Sequence, residues 1–491
     1  MLVMIVRFWS SIVKSIYAAL FGAALHGGVM AEDASKPNVI VIMADDIGAE
    51  GLESYGSTIY TSPHLTRMAE EGIQFQNAYA TPLCTPSRVM IMTGTYPHRN
   101  GYKALMGTKP GARMGTDIPT FGHYFQEAGY NTAIAGKWQL GKFHDFPNQP
   151  AEHGFDRFCM WTWHFEGEKR SRFYAPHINI DGEFFQGTET DYGPDYYGKF
   201  MLDFIDENKD QPFFIYFPMA LVHDPFVHPP GLREKASAKF TDDLSDKTKA
   251  YGHMITYMDD IIGQMMERLK EHGIDENTLV IFTGDNGTHP SIISKLPGMD
   301  LAGGKFSVTE AGSRVPFIAR WPGKIPPSVS EEFICLVDVL PTIASMAGIE
   351  LTAEVDGMDL SHNFLGTEGD DREYIVMPFR GLYVRDKRFR LHEDGRMYDI
   401  PVTSDQERYS EKEATNPEHE PDRKRLQALI DQYQSQPPLY DGPITVEGFE
   451  EPELTEEQQK KADEKAARKE AKRAECTPSN PGPQAALIFP S

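Results

Sequence analysis

Cysteine is scarce in this chain, with four in 491 residues. Setting aside Cys84, which sits in a motif of its own, Cys159, Cys335 and Cys476 remain and allow at most one disulfide. A disulfide scaffold is thereby excluded, so a buried apolar core must hold the fold. Basic charge is also short: 48 Lys and Arg stand against 72 Asp and Glu, a formal net charge of −24. That balance argues against nucleic acid as a partner, because phosphate binding needs a basic stripe. For an anionic ligand, positive charge would have to be gathered locally. No stretch reaches the roughly 20 apolar residues that a membrane helix requires.

The N-terminus is different in kind. Arg7 and Lys14 precede an apolar run over residues 15–25, and small residues follow, ending Val29-Met30-Ala31. This is the layout of a secretory signal peptide, residues 1–31, cleaved near Ala31. The apolar start from Met1 to Val6 would also suit an N-terminal anchor, but the central run is short for a span. The expected location is periplasmic or secreted, with no stable membrane span after cleavage.

The length predicts one large α/β unit with a smaller companion. Over residues 36–370, short apolar runs alternate with helical patterns, the signature of a large, mostly parallel sheet flanked by helices. Four runs, residues 39–43, 132–135, 212–217 and 279–282, each lead into polar groups: Asp45-Asp46, Lys137, His223 and Asp285-Asn286. Open α/β sheets place their sites at the carboxyl ends of strands, so these groups could converge. Residues 251–272 carry a helical pattern, and Asp259-Asp260 within it reads as a solvated face or a local salt bridge. Residues 371–450 read as a small antiparallel α+β subdomain, with strands over 383–391 and 396–400 joined by a turn containing Asp394-Gly395. Residues 451–491 are a charged tail, helical or disordered.

Cys84-Thr85-Pro86-Ser87-Arg88 carries the most information. With four Cys and 35 Pro available, chance gives roughly 0.01 matches to C-x-P-x-R in a chain of this length. Cys476-Thr477-Pro478-Ser479-Asn480 repeats four of the five letters without the Arg, in a setting with no sign of a site, and reads as a decoy. Pro86 suits the first turn of a helix, which would put residue 84 near unpaired amides that favour an anion.

Asp45, Asp46, Asp285 and Asn286 offer only oxygen donors, without a zinc-type Cys or His pattern. Such a hard site suits Ca²⁺, with Mg²⁺ second. Either pair alone would more often be a turn or a helix cap. Two such pairs after strand-like runs, beside C-x-P-x-R, favour the metal.

From Pro37 to about Asp399 the chain resembles the formylglycine-dependent sulfatases, a family with an alkaline phosphatase-like fold. The resemblance rests on residues 38–46 and 84–88, Thr93-Gly94-Thr95-Tyr96-Pro97, Gly136-Lys137-Trp138, Gly284-Asp285-Asn286-Gly287, Gly304-Lys305 and Arg314-Val315-Pro316. It implies that a formylglycine-generating enzyme oxidises Cys84 to 3-oxoalanine. The hydrate of that aldehyde would be both the nucleophile and a metal ligand beside Asp45, Asp46, Asp285 and Asn286. It further implies that Arg88 anchors the site, that Lys137, His223 and Lys305 bind sulfate, and that His223 or Lys305 protonates the leaving alcohol. Asp285 is a possible base on the nucleophile.

One position departs from the family. Gln139 stands where a His is usual, and an amide cannot take the proton of the hydrate. His98 or His144 could substitute. Trp161-Thr162-Trp163-His164 with Lys169, Arg170 and Arg172 pairs aromatics with cations, and Tyr96, His98 and Arg99 lie close to the nucleophile in sequence. Trp163 and His98 are therefore expected to contact substrate, and a sulfated carbohydrate is expected over a simple aryl sulfate. Two readings compete with sulfate ester hydrolysis: a phosphomonoesterase or phosphodiesterase of the same superfamily, and a non-catalytic binder of sulfated glycans with Cys84 unmodified.

Overall fold

The structure, a computed structural model, describes residues 36–106, 110–232, 239–402 and 404–446. The expected leader, the charged tail and Cys476 lie outside the described residues. By contacts the chain groups into Met1–Pro37 and Asn38–Ser491, and the elements of the described residues belong to the second unit.

Four of the apolar runs become neighbouring parallel strands. Thr278–Gly284, Asn38–Ala44, Phe213–Pro218 and Asn131–Lys137 lie side by side in that order, and Arg157–Trp161 continues the parallel set. Apart from Asn131 at one end, every residue of the first four is buried. Their runs are continuous because helices leave neither face to water. Gly193–Asn208 and Phe121–Glu127 pack on Asn131–Lys137, and Asp246–Glu271 packs on Gly193–Asn208.

The sheet grows to ten strands through mixed edges. On one side come Phe317–Arg320, Ile73–Tyr79 and Ser328–Cys335; on the other, His177–Ile180 and Glu183–Gln186. A second sheet of five antiparallel strands spans Tyr374 to Glu413 and carries the helix Glu420–Ser435. No helix among the described residues is long and apolar enough to cross a membrane.

Three local expectations need correction. The strand expected over 383–391 is two, Leu382–Asp386 and Phe389–His392, because Asp386 Oδ1 accepts from the amides of Arg388 (2.8 Å) and Phe389 (2.6 Å) and turns the chain. The helix expected from 251 starts at Asp246, where the Ser245 hydroxyl accepts from Thr248 N at 3.1 Å. Asp259 is neither solvated nor ion-paired. It is buried and accepts from the amides of His64 (2.9 Å) and Leu65 (2.8 Å), capping the helix Pro63–Glu70, while Asp260 is exposed. Cys84, Cys159 and Cys335 are free thiols, so no disulfide joins them.

Candidate active site

The expected convergence at the strand ends is present. Ala44 pairs with Gly284, which sets Asp45-Asp46 beside Asp285-Asn286. The Asp285 amide donates to Ala44 O (3.0 Å), and the Asp46 amide donates to Asp285 Oδ1 (3.0 Å). The chain leaving Phe213–Pro218 is tied in as well: Asp45 N donates to Leu221 O (2.7 Å) and Val222 N to Asp45 O (2.8 Å). Asp46 sits at φ 63°, a left-handed conformation that a non-glycine residue keeps only when its surroundings fix it. The Gly-Asp-Asn-Gly run has a steric cause. A Cβ on Gly284 would lie 2.3 Å from Ile47 O, and one on Gly287 1.9 Å from Ala311 O.

Cations gather on these carboxylates. Asp45 receives Lys137 Nζ at 2.7 and 2.9 Å, Arg172 Nη1 at 2.9 Å and Arg88 Nη2 at 3.4 Å. Asp46 receives Lys305 Nζ at 2.6 Å, with His223 Nε2 at 3.6 Å. Arg88 Nη2 also binds Asp285 Oδ2 at 2.7 Å, and its Nη1 donates to Lys137 O at 3.2 Å. Burial would raise all three carboxyls. At Asp45 it is outweighed by Lys137, His223, Arg88 and Arg172, and at Asp46 mainly by His223 and Lys305, so both fall below their usual range. Asp285 goes the other way: burial and the neighbouring Asp45 raise it to about 6 despite Arg88. Burial pushes His223 down.

Cys84 opens the helix Cys84–Thr93, whose residues are all buried. Leu83, in extended conformation, is its N-cap, and Gly94, at φ 64°, ends it. Cys84 is therefore at the amide-bearing end, and Arg88, four residues on, shares its face. The Cys84 sulfur lies 3.7 Å from Gln139 Oε1, with Gln139 held at φ 57°.

The donor set fits a hard divalent ion. Asp46 Oδ2 and Asn286 Oδ1 are buried acceptors without a hydrogen-bond partner, and such orphans call for an explanation. Asp45, Asp46 and His223 present ligand atoms within 4.8 Å of one another. The oxygen-rich character favours Ca²⁺ or Mg²⁺.

Other expected residues are placed differently. His98 stacks on Tyr96 (6.0 Å between centroids) and meets Tyr433 edge-on (5.8 Å), and His144 packs against Phe165 (4.9 Å). Neither of these contacts involves Cys84 or Gln139. Trp163 is buried at φ 59° against His164. Arg170 ion-pairs with Glu166 at 3.3 Å, and Lys169 is exposed. Three contributors were not legible in their observed roles. Arg172 was read as a sugar-side cation, but it lies 4.0 Å over the Trp161 ring and binds Asp45. The Tyr251 hydroxyl donates to Asp46 O (3.1 Å) and meets Thr288 Oγ1 at 3.2 Å, and Thr288 in turn accepts from Gly48 N (3.0 Å). No sequence pattern marks these long-range pairs.

Comparison with known proteins places the chain in a family. The family model described as Sulfatase matches residues 37–349. Arylsulfatase A of Bos taurus is 32% identical over 402 residues, covering 75% of this chain and 76% of its own. N-acetylgalactosamine-6-sulfatase of Rattus norvegicus is 33% identical over 389 residues, covering 72% and 70%. Among solved structures, a Bacteroides thetaiotaomicron chain described with the metabolism of multiple glycosaminoglycans superposes with a TM-score of 0.68. It is 25% identical and covers 82% of this chain and all of that one. The PsFucS1 sulfatase from Pseudoalteromonas sp. gives 0.65 at 21% identity, covering 82% and 91%.

The fold is that of an alkaline phosphatase-like hydrolase. The chain belongs to the sulfatase family and is a sulfatase enzyme.

Proposed function

We propose that this sulfatase releases inorganic sulfate from a sulfated carbohydrate, using the hydrated aldehyde derived from Cys84 as nucleophile. The position of Cys84 carries the reading. It is the first residue of a buried helix, beside Gln139 and one turn ahead of an Arg88 bound to Asp285.

A formylglycine-generating enzyme would oxidise the thiol, and water would add to the aldehyde to give a geminal diol. One hydroxyl of residue 84 passes its proton to Asp285 as its oxygen attacks sulfur. The S–O bond to the alcohol breaks, and the alcohol leaves with a proton from His223 or Lys305. The second hydroxyl then gives its proton to solvent water, Gln139 being unable to take it, the C–O bond to sulfate breaks, and the aldehyde re-forms. This second step is intramolecular, whereas a serine ester would need attack by outside water.

Asp45, Asp46, Asp285, Asn286 and residue 84 would hold one Ca²⁺, which would neutralise sulfate oxygens and lower the pKa of the attacking hydroxyl. Lys137, Lys305 and His223 bind the sulfate oxygens. Arg88 holds Asp285 and Asp45 in place, and Trp163 lines the sugar side.

We assign the catalytic unit to residues 36–370 and the companion subdomain to 371–450. Export behind a leader ending near Ala31 fits the layout of residues 1–31, and N-terminal sequencing of exported protein would begin near residue 32. Relatives named for N-acetylgalactosamine 6-sulfate support a sugar substrate. The test is release of sulfate from N-acetylgalactosamine 6-sulfate and other sulfated sugars beside matched phosphate esters. Release of phosphate alone would overturn the reading.

A further inference from the structure

A second cavity, of about 430 Å³, lies between the short helix Pro97–Asn100, the C-terminal sheet and the helix Glu420–Ser435. Its size is that of a small-molecule site, and it shares no lining residue with the carboxylate cluster. His98, Lys103, Phe379, Arg380, Tyr433 and Gln436 face it.

Three buried polar atoms on this wall lack partners: both ring nitrogens of His98 and Gln436 Oε1. Gln436 is near enough to the imidazole to serve as a hydrogen-bond partner for it, which leaves at least one ring nitrogen of His98 for a ligand. Burial holds the His98 imidazole below its usual range, so at neutral pH it offers one donor and one acceptor. Buried groups of this kind are normally satisfied, and a hydroxyl-rich ligand would satisfy them.

The apolar side is aromatic. Tyr433 packs edge-on against His98, and the Arg380 guanidinium sits 5.3 Å over the Phe379 ring. Arg380 is at φ 50°, beside Gly381 at φ 108°, where a Cβ would meet Glu393 Oε1 at 2.7 Å. A non-glycine residue held there marks a turn whose shape is fixed from outside. Lys103 is exposed at the rim and adds a second cation, while Gln434 Nε2 donates to Glu393 Oε2 at 3.0 Å. Aromatic walls, a neutral donor and acceptor, and two cations, Lys103 and Arg380, against the single carboxylate of Glu393 together match a sugar ring with an acidic substituent.

We propose that this cavity binds a pyranose carrying a carboxylate or a sulfate, at a site separate from the sulfate-releasing centre. The inference rests on the carbohydrate reading of the substrate, and it would let the enzyme hold a second unit of an acidic glycan.

The test is calorimetric titration of the full chain with glucuronate, glucose 6-sulfate, glucose and inorganic sulfate. Saturable binding of glucuronate or glucose 6-sulfate, about tenfold tighter than glucose, is expected. Lys103→Ala and His98→Phe should each weaken it about fivefold or more, whereas Lys137→Ala in the catalytic cluster should leave it intact. Should His98→Phe fail to fold, Lys103→Ala at the exposed rim still decides. Equal binding of glucose, loss in Lys137→Ala only, or no saturable binding of glucuronate would each overturn the proposal. Because the readout is binding, a cavity that binds sugar in a protein that releases no sulfate would sink the catalytic reading alone.

Discussion

Gln139 Oε1 lies 3.7 Å from the sulfur of Cys84. An amide in that place can hydrogen-bond to a hydrate but cannot take its proton. Gln139→His should therefore speed sulfate release from the covalent intermediate by about tenfold or more. Single-turnover kinetics at saturating substrate measure it. An unchanged or slower release step would show that another group already serves as the base.

Arg88 is buried between Asp285 and Asp45. Removing it leaves Asp285 without its ion-pair partner, while Lys137 and Arg172 stay on Asp45, at a cost of about 3–5 kcal/mol. Arg88→Ala should lower stability by that order in denaturant titrations and abolish turnover. Arg88→Lys should recover part of the stability but little activity, since a point charge cannot reproduce the contacts to Asp285 and Lys137 O.

The orphaned Asp46 Oδ2 and Asn286 Oδ1 predict that metal stabilises the folded protein. Calcium at about 100 times its dissociation constant should add roughly 2.7 kcal/mol, and chelator should remove it. Thermal melts with and without Ca²⁺ read this independently of activity. Asp46→Ala should melt at the same temperature in both conditions, and a calcium shift retained in that variant would place the ion elsewhere.

Much of the centre was legible because strand and site signals coincide. Continuous apolar runs ending on Asp45-Asp46 and Asp285-Asn286 gave both the parallel strands and their convergence, and the helix opening at Cys84 followed from Pro86. What escaped the sequence is long-range pairing. Arg172 sits in a loop between short strands, and nothing local ties it to Asp45, 127 positions away. Asp386 lies inside an apparently unbroken strand pattern, and only its two backbone hydrogen bonds show that the chain turns there. Asp259 looked solvated because its helix is amphipathic, yet its partners belong to another helix.

Glu310 links the two sheets: Arg385 Nε donates to its Oε1 at 2.7 Å and the Tyr79 hydroxyl to its Oε2 at 2.8 Å. Burial would raise this carboxyl, but Arg385, Arg408 and Arg390 bring it from 4.5 to about 2. A depressed carboxyl binds its proton more weakly in the folded state. Its contribution, on the order of 3 kcal/mol, is present above pH ~4.5 and lost as pH falls toward 2. Wild type should lose more stability between pH 6 and pH 3 than Glu310→Gln does, as read by chemical denaturation at each pH. Parallel pH profiles would contradict the linkage.

The central claim is that Cys84 acts as an aldehyde. Peptide mass spectrometry on the fragment containing residue 84, from protein whose sulfate release has been measured, tests it most directly. The account predicts 3-oxoalanine at residue 84 in proportion to specific activity, with no turnover in protein that keeps the thiol. A free thiol at residue 84 throughout fully active protein would contradict it.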